Sequence, residues 1–205
     1  MNVEILERLE SKRNQVYKVM LQVNLNSKLA ILKKYSPNNL KFLDIEYKNI
    51  HMLKELGILV PEIIHKDKDS LIMEYVEGEL VVDLVERLDN GDWIDKLALW
   101  LSELHKNSKE NGSLLKKDVN LRNFIYRDGQ IYGLDFEEID YGDLRLDLGN
   151  ICFFILTNEP AFKKEKHIMM KHFLKSYERY SKKEIKDIDS FLFLAKIEAE
   201  KRRKV

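Results

Sequence analysis

The strongest constraint on the fold is an Asp-Gly pair between two short runs of β-prone residues. The runs Phe124 to Arg127 and Gln130 to Leu134 flank Asp128-Gly129. An Asp-Gly in this position is a strong signal for a β-hairpin with a tight turn. A turn centred on the pair sets Asn123 opposite Leu134 and brings Asn123 and Asp135 to the open end of the hairpin. The sequence therefore predicts a hairpin that carries an amide and an acid at one end.

Three oxygen-bearing side chains are expected at that end. Directly opposed residues in a sheet have Cβ atoms roughly 5 Å apart, a suitable separation for Asn123 and Asp135 to share a small cation. Mg²⁺ prefers carboxylate and amide oxygens and usually completes its shell with water and phosphate. Asp118 lies five residues before Asn123, on a loop that ends at the same place. The pattern predicts a magnesium site at Asn123 and Asp135, with Asp118 beside it as a proton acceptor.

The order of these residues resembles the catalytic loop and metal motif of the kinase-like phosphotransferases. In that pattern an Asp accepts the proton of the acceptor hydroxyl, an Asn five residues later binds metal, and the Asp of Asp-Phe-Gly binds the metal that bridges the phosphates. Glu137 stands where a protein kinase has Gly. Asp-Phe-Glu followed by Gly-Asp-x-x-x-Asp-Leu is closer to the aminoglycoside phosphotransferase and choline kinase branch. Asp147 of that run is expected either as an N-cap or, by the resemblance, as a tie to the catalytic loop.

The resemblance also implies a nucleotide site earlier in the chain. The run that ends at Lys33 resembles the Val-Ala-Ile-Lys strand of kinases, which implies that Lys33 contacts the ATP phosphates, or Lys34 if the register differs by one. Glu46 lies thirteen residues on, where the family's pairing glutamate sits. Residues 71–78 resemble the hinge between kinase lobes, which implies that the carbonyl of Glu74 and the N–H of Val76 hydrogen-bond adenine.

The order of predicted elements indicates an α+β fold. Alternating apolar residues predict a strand at 16–23; a turn at 24–27 and further strands at 28–35, 61–64 and 71–76 surround a helix at 42–56. Helices are predicted at 80–88, 93–105, 147–156, 161–180 and 183–203. The resemblance makes residues 3–9 the first strand. It implies a two-lobed protein kinase-like fold: a small antiparallel β-sheet nucleotide-binding lobe at 1–78 and a short, mostly helical lobe at 79–205 with the catalytic loop.

Composition restricts the cellular setting more than the substrate. Lys plus Arg equals Asp plus Glu at 35 each, so the formal net charge is zero and gives no argument for nucleic acid or membrane. The longest apolar run, Ile151 to Leu156, is far too short to span a bilayer, and the N-terminus lacks the features of a signal peptide. The single Cys152 cannot form an internal disulfide. We expect a cytoplasmic protein.

Two departures from the kinase pattern bear on the activity. The segment Glu10 to Gln15 contains no glycine where protein kinases carry a Gly-rich turn, so close backbone approach to phosphates is harder and Lys12 or Arg13 would add charge. Lys116-Lys117 replaces the usual pair before Asp118. Two cations there favour the ionised form of Asp118, which suits an electrostatic role but weakens it as a base.

Three functions are compatible with this pattern. The first is an ATP- and Mg²⁺-dependent phosphotransferase that moves the γ-phosphate to a hydroxyl of a small molecule. The second is a compact atypical kinase or ATPase with protein partners, similar to the small kinase subunit of the tRNA threonylcarbamoyl-modification complex; the basic run Lys201 to Lys204 leaves a nucleic-acid contact open. The third is a non-catalytic module that binds nucleotide. The sequence does not identify the acceptor.

Overall fold

The computed structural model describes residues 2–11, 13–23 and 26–203. Its contacts divide the chain into two compact units, residues 1–77 with 135–137 and residues 78–134 with 138–205. Lys12, Asn24, Leu25 and Lys204, which belong to the predicted charged turn, the predicted 24–27 turn and the basic tail, lie outside the described residues. Among those described, no helix combines the length and apolar character needed to cross a bilayer.

The first unit is built on a five-stranded sheet in the order β1-β2-β3-β5-β4, in which all paired strands are antiparallel. Its elements are β1 (Asn2–Leu9), β2 (Gln15–Val23), β3 (Asn26–Lys34), helix α1 (Leu40–Glu55), β4 (Ile63–Lys66) and β5 (Ser70–Glu74). The predicted order of strands and one helix is confirmed. Asn26 and Ser27, expected in a turn, belong instead to β3.

Side-chain alternation builds the core of this sheet. Successive residues of a strand point to opposite faces, and Val19 and Leu21 of β2 are fully buried while Gln22 is exposed. They pack with Ala30 and Leu32 of β3. The period of two that predicts β2 therefore also predicts which of its residues form the core.

Helix α1 buries only some of its apolar residues. Ile50 and Leu53 are buried, whereas Ile45 and, just after the helix, Leu56 are 40% and 38% exposed. The buried side chains recur at intervals of three or four residues, as one face of a helix requires. They are Leu43, Glu46, Ile50 and Leu53. Apolar periodicity identifies Ile50 and Leu53 on this face but not Glu46, because Glu46 is charged.

The described residues of the second unit form five α-helices and two small three-stranded sheets. The helices are α2 (Val81–Glu86), α3 (Trp93–His105), α4 (Arg145–Thr157), α5 (Lys164–Ser181) and α6 (Ile188–Arg203). The strands are β6 (Glu79–Leu80), β7 (Ser108–Lys109), β8 (Gly112–Leu115), β9 (Phe124–Arg127), β10 (Gln130–Gly133) and β11 (Asp140–Gly142). The sheets have the orders β10-β9-β6 and β11-β8-β7.

The predicted hairpin is present as β9 and β10. Gln130 pairs with Arg127 and Gly133 with Phe124, and the Leu134 N–H donates to the Asn123 carbonyl at 2.8 Å. The turn is centred on Asp128-Gly129, and both residues have a positive φ, as the Asp-Gly preference of tight hairpin turns requires.

Three helices of the second unit begin two or more residues away from their predicted starts. Helix α4 begins at Arg145, two residues before Asp147, so Asp147 is not the N-cap that its residue type suggested. Helix α5 begins at Lys164 rather than at 161, and α6 at Ile188 rather than at 183. Phe162 and Asp187 have positive φ values of 56° and 58°, which a right-handed helix does not accommodate. Helices α5 and α6 therefore begin only after these residues.

Packing of α4 on α6 depends on Gly149. A Cβ at this position would lie 2.7 Å from the backbone carbonyl carbon of Phe191 in α6. Gly→Ala inside a helix otherwise stabilises by roughly 0.5–1 kcal/mol. Because the atom that the Cβ meets is backbone, we expect Gly149→Ala to destabilise the protein by about 1–3 kcal/mol, measured by urea unfolding.

The matched control is Asn150→Ala in the next position of α4, where the side-chain amide donates to the carbonyl of Leu146 in its own helix. This variant should unfold close to the wild-type midpoint. Equal or greater stability of Gly149→Ala would contradict the close approach of the two helices.

Candidate functional site

A buried lysine is the centre of charge in the first unit. The side chain of Lys33 is 8% exposed, and its Nζ lies 2.7 Å from Glu46 Oε2, 3.0 Å from Asp135 Oδ1 and 2.9 Å from Glu137 Oε1. Strand β3 decides which lysine takes this place, since adjacent residues of a strand point to opposite faces and Lys34 is exposed. Lys33, rather than Lys34, therefore contacts Glu46.

The surroundings of Lys33 keep it protonated. Burial alone would lower the pKa of the ammonium, but the negative charges around it, above all that of Glu46 and then that of Asp135, outweigh burial and raise the pKa well above its ordinary value. Glu46 is 1% exposed and also accepts a hydrogen bond from the hydroxyl of Tyr35. The group is a permanent cation held by a buried acid.

Backbone contacts fix the segment that carries Asp135. The N–H of Phe136 donates to Glu46 Oε1 at 3.4 Å, and the carbonyl of Phe136 accepts from Asn49 Nδ2 at 2.7 Å. Asp135 itself has φ +57°, a conformation uncommon outside glycine for which Asp is several-fold enriched. Its side chain is 43% exposed, so a carboxylate in direct contact with Lys33 also faces solvent.

Glu137 is a participant that sequence reasoning missed. Its side chain is 7% exposed, and its Oε1 accepts from Asn14 Nδ2 at 2.8 Å as well as from Lys33. Arg13 Nη1 lies 3.8 Å from its Oε2. Burial raises the pKa of the Glu137 carboxyl, although Lys33 opposes the shift. The sequence marked this residue only as a departure from glycine; an acid four positions after the end of β10 gave no further signal.

The three acids around Lys33 form a group with the donor set of a hard cation. Glu46, Asp135 and Glu137 each offer one oxygen, and these oxygens lie within 4.8 Å of one another. Carboxylate oxygens are suitable ligands for Mg²⁺. Asp135 is the member with solvent exposure, which makes it the residue of this group best placed to hold a metal.

In the second unit the loop before the hairpin gathers Asp118 and Asn123. Asn123 Nδ2 donates to the Asp118 carbonyl at 3.3 Å, and Asp118 Oδ1 accepts from the Asn120 N–H at 3.3 Å. Asn120 Oδ1 in turn accepts from the Arg122 N–H at 3.0 Å and starts the 3-10 turn Leu121–Asn123. Short side-chain-to-backbone bonds of this kind stabilise loops. The metal site shared by Asn123 and Asp135 stays a prediction.

The buried carboxylate of Asp147 fixes the backbone just before this loop. It is 1% exposed, and its two oxygens accept from the N–H groups of Lys116 at 2.7 Å and Lys117 at 3.0 Å. His105 Nε2 lies 3.3 Å from the same carboxylate, and His105 Nδ1 lies 2.8 Å from the hydroxyl of Tyr177. Of the two expectations for Asp147, the N-cap is wrong, and the tie to the stretch before Asp118 is what the structure shows.

Lys116 is a buried lysine whose ammonium contacts a backbone carbonyl and an aromatic ring. The residue is 1% exposed, its Nζ donates to the Leu134 carbonyl at 2.7 Å, and the ammonium lies 5.7 Å from the centre of the Phe124 ring. It therefore joins the loop before Asp118 to the end of the hairpin. Sequence reasoning placed this cation beside Asp118 and did not foresee a carbonyl partner far along the chain.

The expected adenine-binding groups lie at the end of β5. The N–H of Glu74, the last residue of β5, donates at 2.8 Å to the carbonyl of Glu62, which directly precedes β4. Val76 is 4% exposed. The contacts of the Glu74 carbonyl and the Val76 N–H with adenine stay predictions.

Comparison with known sequences gives partial matches. No family model matches the chain. It is 28% identical over 103 residues to the KEOPS complex subunit Bud32 of Pyrococcus abyssi, covering 48% of this chain and 44% of that protein. It is 32% identical over 92 residues to the EKC/KEOPS complex subunit BUD32 of Encephalitozoon cuniculi, covering 44% of each. The matches span less than half the length of these curated relatives.

Solved structures resemble nearly the whole chain. Aminoglycoside phosphotransferase APH(2'')-Ib bound to ADP matches with a TM-score of 0.65 at 14% identity, covering 95% of this chain and 81% of that one. Amicoumacin kinase hAmiN with AMP-PNP, Ca²⁺ and amicoumacin gives 0.67 at 17%, covering 94% and 77%. Choline kinase from Cryptosporidium parvum gives 0.63 at 14%, covering 92% and 77%. At these identities the likeness establishes the fold.

The buried support of the loop is testable through Asp147→Asn. An amide has one acceptor oxygen, so one of the two N–H groups of residues 116 and 117 would face an NH₂ donor. Hydrogen bonds to charged groups contribute roughly 1.5–3 kcal/mol, and we expect a loss of about 2 kcal/mol in urea unfolding. Asp143→Asn, which removes an exposed carboxylate paired with Arg145, is the control and should lose much less. Equal losses would contradict the supporting role of Asp147.

Proposed function

We propose that this chain, which has the protein kinase-like fold, is an ATP- and Mg²⁺-dependent phosphotransferase that acts on a hydroxyl group of a small molecule. The observation that carries the proposal is the buried Lys33–Glu46 pair, at 2.7 Å, within a fold whose solved examples hold ADP or AMP-PNP. A fixed cation on a rigid strand is what the negatively charged phosphates of a nucleotide require.

The residues of the first unit would bind the nucleotide. Lys33, oriented by Glu46, would neutralise the phosphates. The carbonyl of Glu74 and the N–H of Val76 would hydrogen-bond the adenine edge, and Asp135 would bind the metal together with Asn123. Under this proposal residues 1–78 serve as the nucleotide-binding lobe and residues 79–205 as the lobe that carries the catalytic loop.

Asp118 would be the catalytic residue. The acceptor oxygen attacks the γ-phosphorus, the bond between that phosphorus and the β–γ bridging oxygen breaks, ADP leaves, and the acceptor proton passes to the Asp118 carboxylate. Positioning and charge stabilisation account for most of the catalysis of phosphoryl transfer. The hydrogen bonds of Asp118 to the turn at 120–123 support the positioning part of this role.

Nucleotide binding is tested by thermal stabilisation with ATP, with and without Mg²⁺. A ligand that binds only the folded state stabilises it by about 2.7 kcal/mol at about a hundred times its dissociation constant. We expect a shift that depends on Mg²⁺ and is lost in Lys33→Met. Lys34→Met, the same change at the neighbouring exposed position, should keep the shift. Wild-type protein that shows no shift would contradict the proposed function.

Catalysis is tested by Asp118→Asn in an acceptor screen that monitors phosphate transfer. Removing a general base typically costs about 10²–10⁴-fold in rate, so we expect turnover to fall by at least about a hundredfold while ATP binding is kept. Asp128→Asn on the hairpin turn, where the carboxylate is 88% exposed, is the matched control and should be fully active. Loss of ATP binding together with turnover would contradict this assignment of roles.

A second function is favoured by the partial matches to Bud32, which is named as a subunit of the KEOPS complex. The chain would then be a compact kinase or ATPase of a larger assembly, with tRNA as one substrate class. ATP turnover without a small-molecule acceptor would support it, as would salt-dependent tRNA binding lost on removing residues 201–205. ATP binding without any turnover, across many acceptors, would instead indicate a non-catalytic module.

A further inference from the structure

The three hydrogen-bond donors of the Lys33 ammonium are matched by three carboxylates in the nucleotide-free protein. A lysine ammonium has three N–H groups, and three carboxylates lie within hydrogen-bonding distance of Nζ, those of Glu46, Asp135 and Glu137. A nucleotide phosphate that binds Lys33 therefore has to displace one of them. The acid that gives way determines how tightly the nucleotide binds.

Glu46 is the acid least able to leave. It is 1% exposed and accepts, besides Lys33, the hydroxyl of Tyr35 and the N–H of Phe136. Moving it would leave a buried acid and its donors without partners, which is strongly destabilising. Asp135 is partly solvent-exposed, and its proposed function is to bind the metal, which also stays with the nucleotide.

Glu137 is bound by the kinds of donor that bind phosphate. Its two oxygens face an ammonium at 2.9 Å, an amide NH₂ at 2.8 Å and a guanidinium nitrogen at 3.8 Å, supplied by Lys33, Asn14 and Arg13. Lysine and arginine side chains are the usual partners of phosphate oxygens. Arg13 and Asn14 also belong to the β1–β2 connection, where protein kinases carry the turn that covers the phosphates.

We propose that Glu137 is an internal anion that determines nucleotide affinity. In the nucleotide-free protein its carboxylate occupies the donors of Lys33 and Asn14, and the phosphates of ATP or ADP take these donors when Glu137 moves away. This inference rests on the proposed nucleotide site. Three carboxylates on one ammonium leave a net negative charge around Lys33, so neutralising Glu137 reduces repulsion of the phosphates. Replacing Glu137 by glycine also releases the N–H of Lys33 that faces its carboxylate, whereas glutamine keeps an oxygen that accepts from it.

The test is calorimetric binding of Mg-ADP to wild type, Glu137→Gln and Glu137→Gly, which needs no acceptor. Both variants should bind about tenfold more tightly than wild type. Glu62→Gln, the same change at an exposed acid of the same unit that pairs with Lys54, is the control and should bind like wild type. Thermal unfolding without nucleotide verifies that each variant folds. If Glu137→Gln does not fold, the comparison is made with Glu137→Gly alone.

Two smaller probes separate a direct effect on phosphates from a general structural one. Tripolyphosphate with Mg²⁺ should gain affinity in the Glu137 variants by the same factor as ADP, and adenosine should gain nothing. Equal or weaker binding of Mg-ADP by the Glu137 variants, with wild type binding normally, would overturn this inference and leave the proposed function intact. Absence of binding to all variants and to wild type would overturn both.

Discussion

The buried ion pair of Lys33 and Glu46 is the interaction on which the first unit depends. Removing two charges from water costs more than their attraction returns unless further hydrogen bonds satisfy them. Glu46 meets that condition through Tyr35 and the N–H of Phe136. Through these contacts the ion pair connects strand β3, helix α1 and the segment 135–137. The position of the Lys33 ammonium beside Glu46 also brings it within reach of Asp135 and Glu137.

In the second unit a buried charge also fixes a loop, the one that carries Asp118, and here the central charge is the carboxylate of Asp147. The carboxylate of Asp147 accepts two consecutive backbone N–H groups and lies beside His105, so the chain just before Asp118 is fixed by a buried acceptor. Lys116 then connects that stretch to the Leu134 carbonyl. In both units a buried charge, held by several partners, gives a loop one conformation and leaves an acid of that loop at least partly exposed.

Elements set by local rules could be predicted, and elements set by distant packing could not. The hairpin at 124–133 follows from turn chemistry, and β2 follows from alternation along nine residues. Apolar periodicity could not place Glu46 on the buried face of α1, because a charged residue breaks the pattern. The first residue of α6 was missed because the positive φ of Asp187 has no strong sequence signal. The same division holds in the site: the order of its motifs could be recognised, but the position of Glu137 could not.

The sequence by itself determined the kinase-like order of strands, helix, loop and hairpin, because turn preference and side-chain periodicity act between near neighbours. Only the tertiary structure decided which charges meet. Lys33 contacts acids 13 and 102 positions away along the chain, and Asp147 accepts from N–H groups 31 and 30 positions before it. Such contacts depend on how helices and strands pack, and the energy of a buried charge is set by all its neighbours together rather than by any one segment.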